Sequence, residues 1–141
     1  MDLFDLADYF EDISKEVKSE IEHEVHISAK KIQAQAKLLA PVDTGNLRNN
    51  INTSVEWRGN TCVGIISADA SYSSYIEYGT GIYSSLGVGR QTPWVYTPDG
   101  GRHFYTTQGQ MPQPFMYPAF LQMKDFIIRD MENLVGRLFN W

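Results

Sequence analysis

The sequence predicts an α+β fold: a long N-terminal helix, a small antiparallel β-sheet of about four strands, and a C-terminal helix packed on one face. Three observations carry this. Apolar residues recur at three- and four-residue steps over residues 1–40 and again over 117–139. From Ile51 the period switches to two. Between these patterned stretches lie segments rich in glycine and proline. With 141 residues, 43% of them hydrophobic and 21% charged, residues 1–141 are expected to form a single domain. A chain of that size buries roughly 68–70% of the surface its unfolded form exposes.

In the first helix, Leu3, Leu6, Phe10, Ile13, Val17, Ile21, Val25, Ile32, Ala36 and Leu39 mark one stripe. Glu11, Lys15, Lys18, Glu22 and Lys30 occupy the opposite face, and Asp2, Asp5 and Asp8 suit the positive end of the helix dipole. Such a helix is roughly 55 Å long, longer than a domain of this size is wide. Its first turns are therefore expected to project, bend or pack on a neighbour; a break over residues 23–28 is the alternative. Pro41 ends the helix by biasing Ala40 out of the α region. Asp43, Thr44 and Gly45 are turn formers and, with Pro41 and Arg48, make a structural corner into the sheet. Asp43 or Thr44 is expected to accept a local backbone N–H, and Gly45 to adopt a conformation costly for a residue with a Cβ.

The sheet is expected over 49–107. Ile51, Thr53, Val55 and Trp57 alternate with polar residues, Arg58-Gly59-Asn60 turns, and Thr61–Ala68 returns. Residues 71–78 read as a short aromatic helical turn, and 79–93 as a long exposed loop with four glycines. Strands at 94–97 and 102–107 flank the turn Pro98-Asp99-Gly100-Gly101. A second loop spans 108–114, and Pro118 opens the last helix, whose apolar face is Met123, Ile127, Met131, Leu134 and Leu138. The two loops are expected to be mobile in the free subunit and to order against a neighbour.

Composition excludes several function classes. The net charge is −5, and residues 1–40 hold nine Asp or Glu against five Lys. An acidic chain without a basic stripe grips phosphates poorly. A single cysteine, Cys62, allows no internal disulfide and fits a reducing compartment. No apolar run approaches the ~18 residues of a membrane span, and the acidic start Met1-Asp2-Leu3-Phe4-Asp5 is unlike a signal peptide. The protein is expected to be made in the cytoplasm and to have no membrane partner. Aromatic residues make up 13% of the chain and concentrate between Trp57 and Phe120, which favours oligomerisation.

No residue constellation assigns catalysis, a cofactor or a metal. His23 and His26, beside Glu20, Glu22 and Glu24, lack an HExxH pattern or a second ligand helix and read as a solvated face. Gly79, Gly81, Gly87 and Gly89 are followed by neither Lys-Ser nor Lys-Thr, so no phosphate loop is indicated. Cys62 lies on a strand without flanking positive charge and suits a small apolar role. Glu77 stands beside the Gly79–Gly81 turn, where it either accepts hydrogen bonds from turn amides or pairs with Arg48; a structural anchor is the favoured role. Arg48, Arg58, Arg90 and Arg102 with Trp57, Trp94, Tyr96 and Tyr105 resemble a single-strand binding face. The same residue types are favoured between proteins. The interface reading is preferred, with Tyr75, Glu77, Tyr78, Gly79, Gly81, Trp94, Tyr96 and Phe115 as its candidates. The rival from another class is a small hydrolase using Glu77 and His103.

Four segments taken in order carry a resemblance. They are Ala36-Lys37-x-x-Ala40-Pro41-Val42-Asp43-Thr44-Gly45-x-Leu47-Arg48, then Tyr72-x-x-Tyr75-Ile76-Glu77-Tyr78-Gly79-Thr80-Gly81, then Trp94-x-Tyr96, and Pro114-Phe115-x-x-Pro118-Ala119. Together they resemble the tail-completion, or head–tail joining, family of minor tail and neck proteins in long-tailed bacteriophages and prophages. The likeness runs from about Ala29 to Phe120. It implies a non-enzymatic virion part without cofactors, located at the head–tail interface. Such a part forms a ring with itself, commonly a hexamer, and contacts the tail tube or terminator and the head connector. DNA would pass nearby without specific binding. A head-closure or adaptor protein of the same neck is the alternative.

Overall fold

The computed structural model describes residues 3–41, 45–87, 89–97 and 100–139, with side chains from residue 12 onward. Helix α1 runs Leu3–Leu39 without the break considered at 23–28. That stretch contains neither glycine nor proline, and it is braced from the side. Strand β1 (Ile51–Arg58) and strand β2 (Thr61–Ala68) form an antiparallel hairpin, in register from Ile51 opposite Ala68 to Arg58 opposite Thr61. Helix α1 lies across one face of it. Gln33 Nε2 donates to the Ile51 carbonyl at 2.6 Å, and the Trp57 indole N–H donates to the Glu22 carboxylate, so α1 and β1 run antiparallel. Gly64 permits the close crossing, because a Cβ there would stand 3.0 Å from Val25 Cγ1.

A four-residue helix α2 (Asn46–Asn49) precedes β1, and helix α3 (Ser73–Tyr78) follows β2. Helix α4 (Met116–Phe139) lies antiparallel along α1, as the pairs Gln35–Gln122 and Lys31–Asp130 show. Small residues at Ala36, Ala40 and Ala119 let the helices approach, and Phe115, fully buried, fills the space between them with Ile32, Leu47 and Ile51. Burying a side chain such as Phe115 or Ile51 contributes about 1.5–3 kcal/mol. Both long helices thus lie on one face of the hairpin, α4 chiefly against α1.

The expectation of one sheet of about four strands is corrected. Strands β3 (Trp94–Tyr96) and β4 (Tyr105–Thr107) pair only with each other, giving two separate two-stranded sheets. Period-two patterning identifies hairpins but does not say which edges join. Here α3 and the 3-10 turn Gly81–Tyr83 carry the chain away before β3 begins. The short hairpin also has no wholly buried face to hold it on the larger one, since Val95, Tyr96 and Tyr105 are exposed. Its expected turn at Pro98 and Asp99 lies outside the described residues.

The two expected loops are not independent at their stems. Thr80 N donates to the Gln110 carbonyl at 3.0 Å and Ile82 N to that of Gln108 at 3.1 Å, while Gln110 N donates to Thr80 Oγ1 at 2.8 Å. The contact is backbone on backbone. A Cβ on Gly81 would lie 1.9 Å from the Gln108 oxygen, so only glycine fits. Beyond the hairpin and the end of α4, α1 projects. Every residue from Asp12 to Glu20 is exposed except half-buried Val17.

Candidate functional site

The corner after α1 is built as its residue types require. Gly45 has φ 81, the left-handed region where a Cβ is disfavoured, and it caps α2. Asp43 and Thr44, expected to accept a local N–H, lie outside the described residues. Arg48 Nε donates to the Lys37 carbonyl at 3.0 Å, satisfying one of the orphan acceptors at the C-terminus of α1. The corner is tied to the next motif by Asn46 Nδ2, which donates to the Tyr72 hydroxyl at 2.9 Å.

Glu77 pairs neither with Arg48 nor with the amides of its own turn. Its carboxylate reaches across the fold to the start of α4. There Oε2 accepts from Phe115 N at 2.8 Å and Met116 N at 3.0 Å, and Oε1 accepts from Tyr117 N at 3.0 Å. Pro118 has no N–H, and Ala119 N donates to the Phe115 carbonyl at 3.4 Å. Every donor at this helix end is thereby accounted for. Glu77 is buried, 8% exposed, and the positive end of the helix dipole faces it. The sequence signal was a carboxylate before a glycine turn, but its partners are 38–40 residues away. Only tertiary structure names them.

Corner, α3 and the aromatic hairpin enclose a cavity of about 630 Å³. Pro41, Gly45 and Leu47 form one wall, Tyr72, Tyr75 and Ile76 a second, and Trp94 and Tyr96 the third. Thr80, Thr107 and Gln110 supply polar groups at the stitched loop stems. The ring of Tyr96 tilts against Tyr105 at 5.8 Å, and Arg90 stands over Trp94 at 5.9 Å. The structure therefore gathers Pro41, Gly45, Tyr75, Trp94 and Tyr96, candidates separated in sequence, into one aromatic groove. It leaves others out. Phe115 and Glu77 belong to the interior, and Gly79 and Gly81 are buried under the loop contact, so none of these four offers a surface to a neighbour. Tyr78, exposed, lines an adjoining cleft with Leu86 and Trp94.

The remaining candidates stay apart. Arg58 pairs with Glu56 at the far end of the large hairpin, and Arg48 is engaged with the backbone at the corner, so the arginines form no single strip. The His103 ring is tilted toward that of Tyr105 on the exposed hairpin, centroids 6.5 Å apart, while Glu77 is enclosed at the α4 terminus. Among the described residues no group of three His, Cys, Asp or Glu could hold a metal ion. No helix among them is long and apolar enough to cross a membrane. Cys62 lies half-buried on β2; desolvation, and after it the Glu22 carboxylate, push its thiol pKa up.

The chain is thus an α+β fold with a groove of rings at its surface and a buried carboxylate given over to capping a helix. The family comparison supplies the class: the chain belongs to the HK97-gp10-like family, bacteriophage HK97-gp10 tail-component, whose profile matches residues 4–79. The match contains the α1 corner and most of the Tyr72–Gly81 motif, and it includes the long first helix. It ends before Trp94 and Phe115. No curated protein and no solved structure matches the chain.

Proposed function

We propose that this tail component completes the phage tail and joins it to the head connector by assembling as a ring, in the sixfold form common to tail-completion proteins. The observation that carries the reading is the aromatic groove. It is made by three of the four segments that carry the family resemblance, the third lying in a hairpin that exposes Val95, Tyr96, Phe104 and Tyr105. Rings of this kind, gathered at one concave surface, suit recognition of another protein. In this reading the groove and hairpin meet the tail tube or terminator on one side and the head connector on the other. The surplus of acid over base, a net charge of −5, lets DNA pass without being held.

The reading needs no chemistry from the chain. Glu77, the one buried acid among the described residues, is engaged by three backbone amides and has its place in the fold. The test is a particle preparation from the encoding phage or prophage with this gene silenced. Filled heads and separate tails should accumulate, and purified protein should restore joined particles. Joined, infectious particles in its absence would overturn the proposal. Turnover of an ester, amide or phosphate substrate that disappears in Glu77→Gln with the fold intact would favour the hydrolase instead.

A further inference from the structure

A second surface, lined by none of the residues of the aromatic groove, is also unfinished. Helices α1 and α4 and strand β2 leave between them an apolar groove of about 360 Å³. Its lining includes Cys62 and Ile66 from β2 and Phe120, Lys124, Ile128 and Met131 from α4. Phe120 and Ile128 are exposed although they stand on the side of α4 that faces the groove. Meanwhile the first turns of α1 extend past the body, and its residues from Asp12 to Glu16 are exposed in their own subunit.

The exposed area is large enough for contacts of the obligate kind. A folded monomer of 16.1 kDa exposes about 7,400 Å². This chain exposes 10036 Å², an excess of about 2,600 Å² over that scaling. A subunit that contributes half of this excess to each of two neighbours forms contacts of about 2,600 Å² in total, within the range of obligate assemblies. We propose that the projecting start of α1 from a second copy of this chain occupies the α1–β2–α4 groove. This rests on the self-association in the reading above and specifies its surface.

Length agrees, and charge agrees only where the donated helix lies toward α4, so that its acidic excess meets Lys124 and stays away from Glu22 near Cys62. The groove's α4 wall, from Phe120 to Met131, is about 17 Å long, and α1 from Leu3 to Val17 is about 21 Å. In sequence that segment carries Leu6, Phe10, Ile13 and Val17 at helical spacing, the pattern of a helix laid in a groove. It also holds Asp5, Asp8, Glu11, Asp12 and Glu16 against one base, Lys15. Among the described residues, the only charged one lining the groove is Lys124. Because the donated helix and the receiving groove are different surfaces, the contact is head-to-tail and closes into a ring when the rotation allows.

Cys62, the chain's single cysteine, lines the groove and makes the test direct. Ile13 is nine residues before Glu22, the α1 residue beside Cys62, or about 13 Å along the helix. A thiol introduced in place of the Ile13 side chain is therefore beyond disulfide reach of Cys62 in the same subunit. Full-length Ile13→Cys, oxidised mildly, should give disulfide-linked dimers and higher multimers on non-reducing gels. These should vanish when Cys62→Ser, Ile128→Arg or Lys124→Glu is added, with circular dichroism confirming that each variant is folded. Sedimentation of the wild type from submicromolar to submillimolar concentration runs alongside. A wild type that stays monomeric throughout overturns both this proposal and the self-association it rests on. A wild type that associates while Ile13→Cys forms no link, or while Ile128→Arg associates equally well, overturns only the assignment of the surface.

Discussion

Glu77→Gln should destabilise the protein by about 2 kcal/mol, and Glu77→Ala by about 4 kcal/mol. The carboxylate accepts three N–H bonds with both oxygens. Glutamine keeps one acceptor oxygen. Its best orientation places that oxygen toward Phe115 and Met116 and turns an NH2 group toward the Tyr117 amide, so one bond is replaced by two opposed donors. A hydrogen bond to a charged group contributes about 1.5–3 kcal/mol, and the favourable term from the helix dipole is lost with the charge. Alanine removes the acceptor of all three bonds and leaves the buried Phe115 amide unpaired, with those of Met116 and Tyr117 part-buried. For a chain of this length each kcal/mol lowers Tm by about 3–4 °C. The glutamine variant should therefore melt about 6–8 °C below wild type, measured by circular dichroism at neutral pH with a urea titration for ΔG. Because the contact is buried, the difference should survive added salt. A glutamine variant within half a kcal/mol of wild type would show that the capping of α4 by Glu77 does not hold the fold together.

Other outcomes follow from single sites. Gly45→Val should lose more than about 1 kcal/mol from its left-handed backbone alone, since nothing nearer than Asn49 Nδ2 at 3.7 Å meets a Cβ there. Gly81→Ala should lose more than Gly45→Ala, because overlap with the Gln108 oxygen is added to the same strain; limited proteolysis should then cut within 79–93. Equal thermal shifts in those two alanine variants would contradict the backbone stitch between the loops. Ser28→Ala should stabilise by about 1 kcal/mol, as the Ser28 hydroxyl is buried without a hydrogen-bond partner among the described residues; a loss on denaturant titration would mean that it has one. The raised thiol pKa of Cys62 leaves less thiolate at any pH below it, so alkylation at neutral pH should be slower in the folded protein than in urea. Glu22→Gln should quicken it, and a rate unchanged by unfolding would refute the placement.

Element types were legible along most of the chain because they depend on neighbours in sequence. The stripe from Ile13 to Leu39 and the face from Met123 to Leu138 identify helices, and Ile51 to Trp57 a strand, since each pattern records which residues must turn inward. Gly45 was readable for a similar reason: a proline-stopped helix followed at once by a new direction needs a left-handed residue. Partners were not readable. The alternation of Trp94 to Tyr96 is the same whether the strand joins the large hairpin or stands apart. The sequence favours an anchoring role for Glu77 without naming what it anchors, and counts both Glu77 and Phe115 among interface candidates because such residue types are favoured between proteins. The fold instead made one the cap and the other the centre of the core.

The sequence by itself determined the two long helices, the first hairpin, the glycine at the corner and the family to which the chain belongs. The elements and the corner rest on local sterics and hydrophobic period, which act over a few residues, and the family on the ordered motifs and the profile match over residues 4–79. Tertiary structure alone decided that β3 and β4 form their own sheet, that Glu77 caps a helix 38–40 residues away, and that Pro41, Tyr75 and Trp94 share one groove. Those outcomes depend on the free energy of burying one element against another. That quantity is set by which surfaces meet in three dimensions, and no window of sequence contains it.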